Sequence, residues 1–148
     1  MAFRNLLSAG LVLVGLACPV LAEEPMYYAP GGIAMSGYDV VAYFTKGEPV
    51  EGVAAYAVTW RGATWYFSSP ESLMAFEMNP EAYAPQFGGY CAYAVAEGRT
   101  GPVDPDAFFV RDGRLYFLHD TRMLGEMQDD LPRILTEAQA HWPAALGD

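Results

Sequence analysis

Cys91 lies in "QFGGYCAYAVAEG" (residues 86–98), directly after Gly88, Gly89 and Tyr90 and two residues before Tyr93. A thiol can be a soft-metal ligand, a redox nucleophile or a small apolar side chain, and this stretch admits all three. The segment reads as a helix that starts near Cys91 and ends at Gly98, which suits a helix C′ position, with a strand as the alternative its alternation allows. A thiol in the first turn of a helix has its pKa lowered from about 8.5 toward neutral, which favours metal or redox chemistry. The two glycines would leave room for a ligand beside the sulfur, so Gly88, Gly89 and Tyr90 are candidate ligand-binding residues.

The other chemistry-bearing residues are sparse. His119 ends an apolar run and His141 precedes Trp142 and Pro143. They lack a His-x-x-x-His spacing, so the pair is not by itself a metal signature. His119 at a strand end is the candidate partner for Cys91, and the two together would suit copper or zinc. His141 reads as a helix-end packing residue. Met74 and Met78, like Met123 and Met127, stand four apart. Thioethers beside a thiolate would suit Cu(I), although methionines at helical spacing are expected as core filler. Asp39 and Tyr43 could bind a ligand, Asp39 also serving as base or as the cap of a turn. No Ser-His-Asp order, phosphate loop, nucleotide fingerprint or paired-carboxylate motif stands out, which argues against hydrolase and nucleotide readings.

The elements that must position these residues follow from periodicity. "AYAVTW" (55–60) and "ATWYFS" (63–68) flank Arg61-Gly62, and "AFFV" and "RLYFLH" flank Asp112-Gly113. Apolar, aromatic and β-branched runs around such two-residue turns predict β-hairpins, the second with strands at 108–111 and 114–119. Each hairpin leads into a helix. Ser68 stands three residues before Glu71 with Pro70 between, a capping-box spacing at the start of "LMAFEM". Asp120 can cap a second helix running through Met127. After Leu131-Pro132, "RILTEAQAHW" places Ile134, Leu135 and Ala138 on one helical face. Residues 23–37, with two prolines and three glycines, read as an irregular lead-in. The fold class is therefore α+β, a single compact domain over 38–148 with two hairpins, a helix after each and a C-terminal helix.

Composition bounds the setting. "MAFRNLLSAGLVLVGLACPVLA" has Arg4, an apolar run from Leu6 to Ala17, and Val20 and Ala22 at the small-residue positions of a cleavage site. Residues 1–22 thus read as a signal peptide, giving a periplasmic or secreted protein. The alternative is a lipoprotein anchored through Cys18, where "GLAC" partly matches a lipidation site; only then is a membrane partner expected. Without residues 1–22 the chain carries seven basic and 18 acidic residues, a net charge near −11. Such a surface repels phosphate backbones, so nucleic acid is not a partner. One cysteine in an oxidising compartment cannot pair internally and marks a thiol to watch.

"GYDVVAYFTKGEPVEG", "WRGATWYFSSPESLMAFEMNPEAYAPQFGGYCAYAV", "DPDAFFVRDGRLYF" and "HWP" together resemble the exported YHS-domain proteins of bacteria, from Tyr38 to Trp142. The resemblance implies a small module, in some relatives metal-associated. The cysteines of those metal-associated relatives fall here on Ala42, Ser68 and Ser72, and the name-giving tyrosine-histidine-serine reads Tyr66-Phe67-Ser68. Their metal role is therefore not carried over. The "GGYCAYAV" block is intact, whereas "LYFLH" (115–119) departs from the branch's pattern by placing Leu118 for asparagine and His119 for tyrosine. The expectation is a binding module rather than an enzyme, holding a copper or zinc ion or a small ligand near Cys91. Its alternatives are a thiol-dependent redox protein and a structural partner of an envelope complex.

Overall fold

The computed structural model describes residues 24–147. The signal-peptide reading of residues 1–22, with Cys18, lies outside the described residues.

Two antiparallel hairpins organise the chain. Strand β1 (Val53–Trp60) pairs with β2 (Ala63–Phe67), and β3 (Phe108–Arg111) with β4 (Arg114–Phe117). Both turns need two consecutive left-handed residues, the condition for strands joined by two residues to keep their twist. Arg61 and Gly62 have φ of 47° and 80°, Asp112 and Gly113 of 52° and 71°. The turns that sequence spacing predicts are therefore formed as predicted.

Around the hairpins lie α1 (Ala42–Thr45), α2 (Pro70–Met78), α3 (Pro80–Tyr83), α4 (Ala92–Ala96), α5 (Arg122–Glu126) and α6 (Leu131–His141). The α+β architecture is the one expected. One local start differs by a residue. Ser69, not Ser68, caps α2, its hydroxyl accepting the Ser72 N–H at 3.1 Å. Ser68 is taken by a longer-range partner, Asp39.

Side-chain alternation along β4 divides the interior. Leu115 and Phe117 point into one apolar cluster with Trp65, Phe67, Phe76 and Tyr43. Tyr116 and Leu118 point into a second, with Phe87, Val95, Ile134 and Ala138. The period of two thus sends successive residues of one strand to two cores, which is why three of its four residues are buried. In the first cluster Phe76 sits 5.0–5.5 Å from Phe67, Trp65 and Trp60, spacings at which aromatic rings attract beyond their buried area.

The segment before α1, with 3-10 turns at Pro30–Gly32 and Ala34–Gly37, contributes to the core. Tyr27, Ala34 and Met35 are buried, and left-handed Met35 and Ser36 turn the chain back on itself. The methionine expectation needs correcting for one pair. Met127 is buried, but Met74 and Met78 lie on the solvent side of α2 at 61% and 81% exposure. Among the described residues no helix is long and apolar enough to cross a membrane.

Candidate functional site

Cys91 reaches its place through a sharply turned segment. Phe87, Gly88 and Gly89 all have positive φ, after which Tyr90 and Cys91 run extended into α4. The Cys91 N–H donates to the Gly101 carbonyl at 3.2 Å, and Cys91 bridges to Phe117 in parallel fashion, joining α4 to the end of β4. Cys91 occupies the cap position of α4 rather than its first turn, and that helix has five residues. The residue is only 2% exposed.

A groove of about 320 Å³ nevertheless opens onto it. Cys91, Arg99, Pro102, His119 and Met123 border this groove, with Tyr93 and Ala94 completing an apolar wall. The structure therefore brings Cys91 and His119, 28 positions apart, to one concavity. Arg99 is ion-paired with Glu97. His119 is exposed, and its Nδ1 lies 3.4 Å from the Pro102 carbonyl oxygen. A carbonyl only accepts, so a hydrogen bond here requires the proton on Nδ1, and in the neutral ring that leaves the lone pair on Nε2. A ring that gives one N–H to a carbonyl is set up to offer its other nitrogen as a ligand. Among the described residues no three His, Cys, Asp or Glu side chains gather as a metal cluster.

The other sequence-chosen residues lie away from this groove. Asp39 is fully buried. Its Oδ1 accepts the N–H groups of Val41 at 2.9 Å and Ala42 at 3.3 Å, while Oδ2 accepts from Ser68 N–H and hydroxyl at 2.9 and 2.6 Å. This carboxylate caps the α1 turn and ties it to the exit of β2. Tyr43 is buried, its hydroxyl donating to the Pro105 carbonyl at 3.1 Å, and burial pushes its phenol well above the ordinary range. Tyr90 donates to the Pro25 carbonyl at 2.8 Å; burial, with the negative charge of Glu24, pushes its phenol up to about 12.

The room beside the two glycines is filled by the chain itself. A Cβ on Gly88 would strike the Met26 backbone oxygen, and one on Gly89 the Met35 sulfur. The Gly88 carbonyl also accepts the Tyr28 N–H at 2.8 Å, seating the lead-in. His141 places Nδ1 2.9 Å from the Ala96 carbonyl, linking α6 to the end of α4.

Pro102 is a groove residue that sequence reasoning misses, and Met123, which sequence offers as core filler or as a Cu(I) thioether, borders the groove. The available signal was local: Met123 follows His119 by four residues, and Gly101-Pro102 marks a loop beside the "GGYCAYAV" block.

Residues 41–87 match the family model of the YHS domain. The match runs from the start of α1 through the first hairpin, α2 and α3, covers 47 of the 148 residues, and stops four short of Cys91. Within it, the positions where the metal-associated relatives are expected to carry thiols hold buried Ala42, Asp39-bonded Ser68, and Ser72 beside the α2 cap. No curated protein and no solved structure matches the chain.

Proposed function

We propose that the protein is an exported metal-binding module whose site is the groove bordered by Cys91 and His119, taking a copper or zinc ion. The observation that carries this reading is their meeting on one concavity, where His119 turns Nδ1 toward a backbone carbonyl. The YHS match supports a metal-binding module at the level of the family, and the absence of thiols in the matched segment moves the candidate ligands to the second half of the chain.

Cys91 and His119 are donors of the type that hold copper and zinc, and binding releases the thiol proton. Burial of Cys91 favours this over the redox alternative, which needs a thiol open to solvent oxidants. Asp39, Tyr43 and Tyr90, engaged with backbone, hold the frame.

The test is metal content and titration of purified protein. Wild type is expected to bind about one ion per chain, with Cys91→Ser abolishing binding and His119→Ala weakening it at least about tenfold, the scale of losing even an outer partner. Failure of the wild type to retain copper or zinc under any redox condition would sink the reading. Export is tested separately, by finding the protein outside the cytoplasm with a mass that begins at Glu23, or at a lipidated Cys18 in the lipoprotein alternative.

A further inference from the structure

We propose that Met123 is the third donor of this site, and that its thioether makes the groove a Cu(I) site rather than a Zn(II) site. The proposal rests on the metal-binding reading above and specifies its ion. Three elements supply the set: Cys91 at the cap of α4, His119 at the exit of β4, and Met123 in the first turn of α5, all bordering the same groove.

The donor set decides the metal. Structural zinc is held by four ligands drawn from Cys, His and carboxylates. Among the described residues no third side chain of those types joins Cys91 and His119. What joins them is a thioether, a soft donor that favours Cu(I). One thiolate, one imidazole and one thioether form a soft set for that ion. Binding breaks the Cys91 S–H bond, forms an S–Cu bond and releases one proton. Copper enters and stays as Cu(I), so no electron is transferred.

Asp120 sets the turn that carries Met123. It directly follows His119, and its Oδ1 accepts the N–H groups of Arg122 at 2.9 Å and Met123 at 3.3 Å. Arg122 in turn pairs with Oδ2 at 3.0 Å, fixing the carboxylate that sets the start of α5. Met123 also borders a second, apolar groove with Leu118, Leu124 and Met127, so its side chain lies in the wall between two concavities. An apolar wall limits water at a thioether, which competes poorly with water for harder ions.

The experiment is an anaerobic competition for Cu(I) between the protein and a chromophoric Cu(I) chelator, with a parallel Zn(II) titration. It compares wild type, Cys91→Ser, Met123→Leu and Met127→Leu. The leucine variants keep apolar volume, and the Met127 variant reports the effect of altering a core methionine outside the donor set. Met123→Leu is expected to weaken Cu(I) at least about tenfold while leaving Zn(II) affinity within about twofold, a ligand-scale loss. Met127→Leu is expected to change neither.

If Met123→Leu binds Cu(I) as tightly as wild type, or loses both metals alike, the inference is overturned and the broader reading stands. If wild type takes up neither ion, both fall. Unfolding curves for each variant separate loss of a donor from loss of the fold, and a Met123→Leu chain that unfolds is replaced by Met123→Ile in the same comparison.

Discussion

Asp39 and Ser68 meet twice at one atom: Oδ2 of the buried carboxylate accepts both the backbone N–H and the hydroxyl of Ser68. With Oδ1 serving Val41 and Ala42, a single side chain satisfies donors beside it in the chain and on Ser68, 29 positions away. Asp39→Ala leaves buried N–H groups without an acceptor, at roughly 1–3 kcal/mol each, so a loss of about 3 kcal/mol or more is expected. Asp39→Asn, which keeps one carbonyl acceptor, is expected to lose less. Urea unfolding with an unchanged slope would establish both values; an Ala variant as stable as wild type would refute the role.

Gly88 and Gly89 call for a different kind of loss. Both have left-handed φ, where a side chain costs about 1–2 kcal/mol before any collision. The obstacle at Gly89 is the movable end of Met35, whereas that at Gly88 is the Met26 backbone oxygen. Gly88→Ala is therefore expected to be the more damaging and to loosen the lead-in, read as faster proteolysis near residues 24–28. In a double-mutant cycle, Met35→Ala is expected to relieve Gly89→Ala, giving a measurable coupling. Additivity there would contradict the packing account.

The buried phenols make stability fall at high pH. Tyr90 ordinarily titrates at 10.0 but is held up to about 12 in the fold, chiefly by burial. From about pH 10 the unfolded chain releases a proton that the folded chain keeps, so unfolding becomes easier as pH rises toward 12. The stabilising difference is thus complete below pH 10 and lost across that window. Tyr90→Phe is expected to have a shallower alkaline decline that is not flat, because burial also raises Tyr43 and Tyr27. Urea midpoints between pH 9 and 11.5 measure it.

Cys91 is expected to react with a bulky maleimide at least about a hundredfold more slowly in the folded than in the urea-unfolded chain, because native reaction must pass through local opening worth several kcal/mol. Bound Cu(I) is expected to slow native labelling further. Equal rates in both states would restore the solvent-open thiol that a redox protein needs.

Much of this architecture was legible because it rests on local rules. Arg61-Gly62 and Asp112-Gly113 announce their hairpins through the backbone conformations that two-residue turns require. Ile134 and Ala138 announce the inner face of α6 through helical spacing. Long-range contacts were not legible. Ser68 has the right spacing to cap α2, but Asp39 claims it and the cap moves to Ser69. Met74 and Met78 share a helix face, yet their spacing carries no information about which side meets the core. The site itself depends on the Cys91–Phe117 bridge, a pairing between segments 26 positions apart with no counterpart in either local pattern.

Glu24 donates its N–H to the Leu146 carbonyl at 3.0 Å, so the described chain nearly closes into a loop. A tether fixed at either extremity would suspend the molecule from the same corner. The body could then swing as a unit, with no pulling force running through the strands or the groove.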